Sequence, residues 1–221
     1  MKSKIMVLWF ALMVTEMLLL GCSKKSEARE NPETGSVKTE VYNSESDFET
    51  ETSDDGKSIT IKKYKGNATA VRIPEKINNL PVKRIGEYAF KKTEITSVTI
   101  PDSVAIIRSG AFEDCTNLKS VNLPNNLTLI FPTAFSDCSK LVNITIPDST
   151  YKIGGYAFSG CKSLNSVTFA SGSNIQDIDF SLDAFPEGKD GDGGNTLKTA
   201  YSTGKAGTYT RQKNGSTWKK K

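Results

Sequence analysis

From Ile95 to Ser163 the chain repeats one 23-residue pattern three times without a gap: ITSVTIPDSVAIIRSGAFEDCTN, LKSVNLPNNLTLIFPTAFSDCSK and LVNITIPDSTYKIGGYAFSGCKS. Each copy carries an aliphatic at its first, fourth and sixth places and Pro at the seventh. Ile stands at the thirteenth place, Ala-Phe at the seventeenth and eighteenth, and Cys at the twenty-first. A unit this short cannot bury its own apolar face, so copies must stack, and a fixed period with a fixed apolar code predicts a solenoid.

Within a unit the side chains of Ser97-Val98-Thr99-Ile100 alternate, which predicts a strand with Val98 and Ile100 inward and Ser97 and Thr99 outward. Pro101 cannot donate to a ladder and ends it. Equivalent strands are expected at 120–123, 143–146 and 166–169, stacked at about 4.8 Å per coil into a parallel sheet. The opposite side of each coil is expected to hold a short segment such as Thr128 to Ile130 and then a helical turn around Ala134-Phe135. Phe90, Phe112, Phe135 and Phe158 then form a core column, a better reading at one aromatic per coil than a ligand box.

Cys115, Cys138 and Cys161 form a second column. A metal site is disfavoured because the spacing gives no CxxC pair and the chain has no His at all. Disulfides are disfavoured because residues in register have parallel Cβ vectors, which oppose the bridge torsion of roughly 90°. Buried free thiols, packing as small hydrophobes, are expected.

These places resemble the BspA-like, or treponemal-type, leucine-rich repeat, whose usual form is close to LxxIxIPxxVxxIGxxAFxxCxx. Gly follows the thirteenth-place Ile only at Gly86 and Gly154, with Arg108 and Phe131 in the middle copies. With degenerate flanks the resemblance covers roughly residues 46–218. It implies a leucine-rich-repeat solenoid, mainly β, with a parallel sheet on the concave face, short strands or helical turns on the convex face, and a cap at each end.

The domain organisation follows from composition. Residues 1–21 pair Lys2 and Lys4 with an apolar run ending in Leu19-Leu20-Gly21-Cys22, the pattern of a secretory leader. The ending resembles a bacterial lipobox, which implies acylation of Cys22. Glu16 interrupts the run, so a retained membrane span is the poorer reading. Residues 22–45 read as an acidic tether: ten acidic against four basic residues lie between Ser23 and Asp55, with little to bury. Residues 46–201 hold the solenoid, opened by a hairpin cap around Asp54-Asp55-Gly56 and by a first coil that needs five extra residues between Pro74 and Ile85. Leu197 to Tyr201 is expected to be the last strand. Residues 202–221 form a closing cap and basic tail, with seven basic residues and no acidic one from Thr196 onward. Asp190, Asp192 and Asn195 resemble a calcium loop, but Tyr201 stands where the bidentate Glu belongs, so a Gly/Asp turn is expected.

No reaction is legible. The absence of His removes His-based acid/base chemistry, and the chain shows neither a nucleophile elbow nor a carboxylate pair at a recognisable spacing. No catalytic residue, metal, cofactor or nucleic-acid partner is expected. The resemblance implies a lipid-anchored protein that binds protein ligands, host matrix or envelope components, at the periplasmic face or cell surface. The alternative is an envelope structural protein that binds peptidoglycan or lipid through its basic end. The expected binding face is the pair of outward columns, Ser97, Ser120, Asn143, Ser166 and Thr99, Asn122, Thr145, Thr168, with Tyr201 at the edge.

Overall fold

The computed structural model describes residues 41–171, 179–180, 183–186, 196–204, 206–211 and 217–221, all within a unit spanning Glu40–Lys221. A single 3-10 turn, Glu45–Asp47, capped by Ser44, leads into β1 (Phe48–Thr52). Asp54, Asp55 and Gly56 turn the chain into β2 (Ile59–Tyr64), which pairs antiparallel with β1 as the Asp-Gly signal predicts.

The first coil contains β3 (Ala70–Arg72), β4 (Lys76–Ile77) and β5 (Leu80–Ile85). Its extra residues form the tight β4–β5 hairpin, with Asn78 and Asn79 both at positive φ, a conformation Asn tolerates. The three exact repeats then give β6 (Ser97–Thr99) and β7 (Ile106–Ile107), β8 (Ser120–Asn122) and β9 (Leu129–Ile130), and β10 (Asn143–Ile146) and β11 (Lys152–Ile153). β12 (Ser166–Phe169) and β13 (Asp179–Phe180) follow, then α1 (Thr196–Gly204), β14 (Gly207–Thr210) and β15 (Lys219–Lys220).

Two sides of the solenoid carry sheet. On the second side β7, β9, β11 and β13 are only two residues long, yet with β1, β2 and β5 they form one continuous eight-stranded sheet in the order β1-β2-β5-β7-β9-β11-β13, with β4 attached to β5. On the first side the ladder is divided: β3-β6-β8 form one sheet and β10-β12-β14-β15 another. Among the described residues β8 and β10 are not paired, although they belong to successive coils.

The Ala-Phe segments are hydrogen-bonded turns rather than the helical turns expected. Places sixteen and twenty of each unit sit at positive φ, as at Thr133 (55°) and Asp137 (58°), and a left-handed residue every fourth place forbids an α-helix. The turns form their own ladder, with Phe90, Phe112, Phe135 and Phe158 each donating its N–H at 2.7 Å to the Ala carbonyl of the next coil. Repetition in register stacks the rings. Centroids lie 4.8 Å apart for Phe90–Phe112, 5.0 Å for Phe112–Phe135 and 5.2 Å for Phe135–Phe158. Tyr64 extends the stack at one end and Phe185 at the other. Each fully buried ring contributes about 1.5–3 kcal/mol by burial alone.

The C-terminal end differs from expectation. Leu197 and Tyr201 lie in α1, not in a strand: four residues apart, they fall on one helix face, and both are buried. The Tyr201 ring packs 4.5 Å from Phe169. The strand place beside β12 is taken by β14, which pairs with it antiparallel and buries Tyr209. β15 then pairs with β14, and Arg211 bridges outward, donating from Nε to the Leu164 carbonyl while its guanidinium lies over Trp218.

Candidate functional site

The expected binding columns all lie on strands of the divided first side. Ser120, Asn122, Asn143 and Thr145 are exposed, whereas Ser97, Thr99, Ser166 and Thr168 are half-buried. Parallel register places Ser97 beside Ser120, Thr99 beside Asn122, Asn143 beside Ser166 and Thr145 beside Thr168. Beyond β12 the face continues onto β14, where the Thr208 and Thr168 hydroxyls lie 3.0 Å apart. Tyr201 does not belong to this face. It is only 4% exposed, because its ring fills the end of the core against Phe169. Cys22 and the Asp190-to-Asn195 segment lie outside the described residues.

The division between β8 and β10 makes a groove of about 370 Å³, lined by Asn122, Asn143 and Thr145 from the expected columns together with Leu123, Asn125 and Asp148. The second repeat departs locally from its neighbours here. Ile100 and Ile146 are buried at the sixth place, but Leu123 is only partly buried. The following loop is tied back to the first repeat, with the Asn125 N–H donating to Asp102 at 2.7 Å and Asn126 Nδ2 donating to the Asp102 carbonyl at 2.9 Å. Unpaired strand edges beside a half-buried aliphatic and three amide side chains can hold a partner by hydrogen bonds with a small apolar anchor.

The cysteine column is closed to solvent: Cys115, Cys138 and Cys161 are free and fully buried. Each thiol donates to a Phe carbonyl of the preceding coil, to Phe90 at 3.0 Å, Phe112 at 3.2 Å and Phe135 at 3.1 Å, a polar role that apolar packing does not predict. Burial pushes the Cys115 thiol up to about 12, and the neighbouring Cys161 thiol together with burial raises that of Cys138. Thiols held protonated are neither nucleophiles nor metal ligands. Among the described residues no cluster of His, Cys, Asp and Glu could hold a metal ion.

The fold and this face define a leucine-rich-repeat solenoid. The model of the BspA type leucine-rich repeat region matches residues 83–182 in six copies, and the chain belongs to that family. A leucine-rich repeat protein from Bacteroides capillosus is 37% identical over 57% of this chain and 95% of its own, with a TM-score of 0.51. The leucine-rich repeat protein of T. pallidum is 29% identical over 57% of this chain and 71% of its own, with a TM-score of 0.49. A leucine-rich cell surface protein from Faecalibacterium prausnitzii is 30% identical over 60% of this chain and 43% of its own, with a TM-score of 0.47. No curated protein matches the chain.

Reading the sequence alone missed Leu123, Asn125 and Asp148 as groove residues. Leu123 differs in burial, not in type, from its equivalents, so no residue signalled the opening. A second group was also missed, on the other side of the solenoid: Phe131, Tyr151 and Tyr156 are exposed. Phe131 carried a signal, since it stands where Gly86 and Gly154 stand in other coils.

Proposed function

We propose that this is an exported, lipid-anchored interaction protein of the bacterial envelope, held by acylated Cys22 and an acidic tether, that binds protein partners through the outward side of β6, β8, β10 and β12. The observation that carries the reading is the groove between β8 and β10, where Asn122, Asn143 and Thr145 converge around unpaired strand edges. Extended repeat surfaces of this kind serve interaction rather than chemistry. Two acyl signals or more on one residue hold a protein to a bilayer without a span.

Protease treatment of intact cells tests exposure, and labelled fatty acid tests the anchor. A surface protein is digested on whole cells and takes up label; Cys22→Ser abolishes label and membrane retention. Protection of the chain on intact cells, followed by digestion after outer-membrane permeabilisation, favours the periplasmic alternative. That second reading rests on the three consecutive exposed residues Lys219, Lys220 and Lys221, a basic end suited to anionic polymers or lipid headgroups.

A further inference from the structure

The seam between the second and third repeats is joined on the second side and in the turns, but open on the first side. β9 and β11 pair in register across it, with Tyr151 donating its N–H to the Thr128 carbonyl at 3.1 Å and Gly154 to that of Ile130 at 2.8 Å. In the turn ladder Phe135 donates to Ala157 at 2.7 Å. On the first side the neighbouring seams are zipped. Lys119 donates to Thr96 at 2.8 Å and Ile100 to Asn122 at 3.2 Å at the seam before, and Asn165 donates to Val142 at 3.0 Å at the seam after. The equivalent donors at this seam are Val142 and Leu123, and among the described residues neither N–H bonds to protein. Unpaired backbone donors inside a stacked repeat are uncommon, and these stand beside the groove of about 370 Å³.

The loop of the second repeat is held away from this seam. Asp102 accepts the Asn125 N–H on Oδ1 at 2.7 Å and Asn125 Nδ2 on Oδ2 at 3.3 Å, and its carbonyl accepts Asn126 Nδ2 at 2.9 Å. Asp102, Asn125 and Asp148 occupy the same place in successive coils, yet among the described residues Asp148 makes no hydrogen bond. The Asn125 amide is turned toward Asp102, so the bond that repetition offers between the Asp148 N–H and Asn125 Oδ1 is not made. Leu123, two places before Asn125, is only partly buried, whereas Ile100 and Ile146 at its place are buried.

The same residues support two arrangements. The open one keeps the bonds to Asp102 and leaves Leu123 half-buried; the closed one pairs β8 with β10, buries Leu123 and gives the Val142 and Leu123 N–H groups their acceptors. Exchanging one set of bonds for another is how a packed element comes to have two states. We propose that Asp102 and Asn125 form a latch that holds this seam open and so controls access to the groove of the polar face, an inference that rests on the reading of that face as the binding site. A ligand seated among Asn122, Asn143 and Thr145 binds the open arrangement alone, so its affinity scales with the open fraction.

Iodoacetamide labelling of Leu123→Cys in the full chain, with each labelled site assigned by peptide mass mapping, tests the latch. The buried Cys115, Cys138 and Cys161 report in the same sample that the fold is intact. Leu123→Cys alone reacts readily. Adding Asp102→Ala slows the reaction about tenfold, because the seam closes over the thiol. Adding Asp102→Asn, which keeps an acceptor oxygen for the Asn125 N–H, leaves it fast. In the wild-type chain, amide hydrogen exchange is faster at Val142 and Leu123 than at Asn165 and Ile100. Unchanged or faster labelling with Asp102→Ala, equal slowing by both Asp102 variants, or equal exchange at the compared amides each overturns the proposal. Retention of beads coated with the full chain on immobilised extracellular-matrix proteins falls about tenfold in Asp102→Ala. Slowed labelling with unchanged retention upholds the latch and removes the polar face as the binding site.

Discussion

The thiol of Cys138 donates to the carbonyl of Phe112 in the preceding coil at 3.2 Å, and the same relation joins Cys115 to Phe90 and Cys161 to Phe135. The two columns that define the repeat are thus stitched together, ring stack on one side and thiol on the other. Each of these carbonyls also accepts the N–H of a residue three places on in its own turn, as the Phe112 carbonyl does from Cys115 at 3.2 Å. The sulfur therefore adds a bond without rescuing an orphan acceptor.

Cys138→Ser separates these contributions. Because a carbon–oxygen bond is shorter than a carbon–sulfur bond, the hydroxyl falls short of the Phe112 carbonyl and lies in an apolar column with a weakened partner. Urea denaturation should show a loss of about 1–3 kcal/mol. In the native protein the three thiols should resist iodoacetamide and react fully once denatured, with no mass change on reduction. Rapid native labelling of Cys138 contradicts the packing described here.

Alkaline pH should weaken the fold. Burial raises the Cys115 thiol from 9.0 to about 12, and burial together with nearby Tyr209 raises Tyr201 from 10.0 to about 12. Both groups stay neutral in the folded chain while their unfolded counterparts ionise, so the unfolded state binds fewer protons in that interval. Stability is fully present below about pH 9 and falls progressively towards pH 12. Denaturation midpoints measured from pH 8 to 11.5 should decline, and Tyr201→Phe should flatten the decline above pH 10. An unchanged slope in that variant rejects Tyr201 as a contributor.

A strained residue marks the turn below the ring stack. Thr133 has φ of 55°, where its repeat equivalent is Gly110 at 60°. A β-branched side chain pays steric energy in the left-handed region, and Thr133 recovers part of it by donating to the Pro132 carbonyl at 2.7 Å. Thr133→Asn should stabilise by about 0.5–1 kcal/mol, read as a higher urea midpoint at unchanged slope. A lower midpoint means that the Thr133 hydroxyl bond outweighs the strain.

What was legible in the sequence follows from what repetition imposes. In-register stacking forces equal places into columns, so the buried Phe and Cys columns and the outward Ser, Thr and Asn places could be read from the period alone. The end of the chain obeyed a different rule. Leu197 and Tyr201 fit the alternation of a strand and the i, i+4 face of a helix equally, and only the competition of β14 for the edge of β12 decides between them. The opening beside β8 was illegible for another reason: Leu123 is as good a sixth-place residue as Ile100 or Ile146, and its exposure depends on the loop tied to Asp102.

Binding on the polar face should be blocked by bulk and not by loss of charge. Asn122 and Thr145 are exposed on either side of the groove, so arginine at either place projects away from the core and fills the opening. Their face contains no Tyr, Trp or Arg among its eight column residues, and interfaces draw most of their energy from those types. Affinity for a protein ligand should therefore be about micromolar. Beads coated with the full chain should be retained on immobilised extracellular-matrix proteins, and Asn122→Arg and Thr145→Arg should each cut retention about tenfold at unchanged melting temperature. Removal of Lys219 to Lys221 should leave retention intact. If instead both arginine variants adhere like wild type and the truncated chain does not, the polar face is not the site and the basic end takes its place.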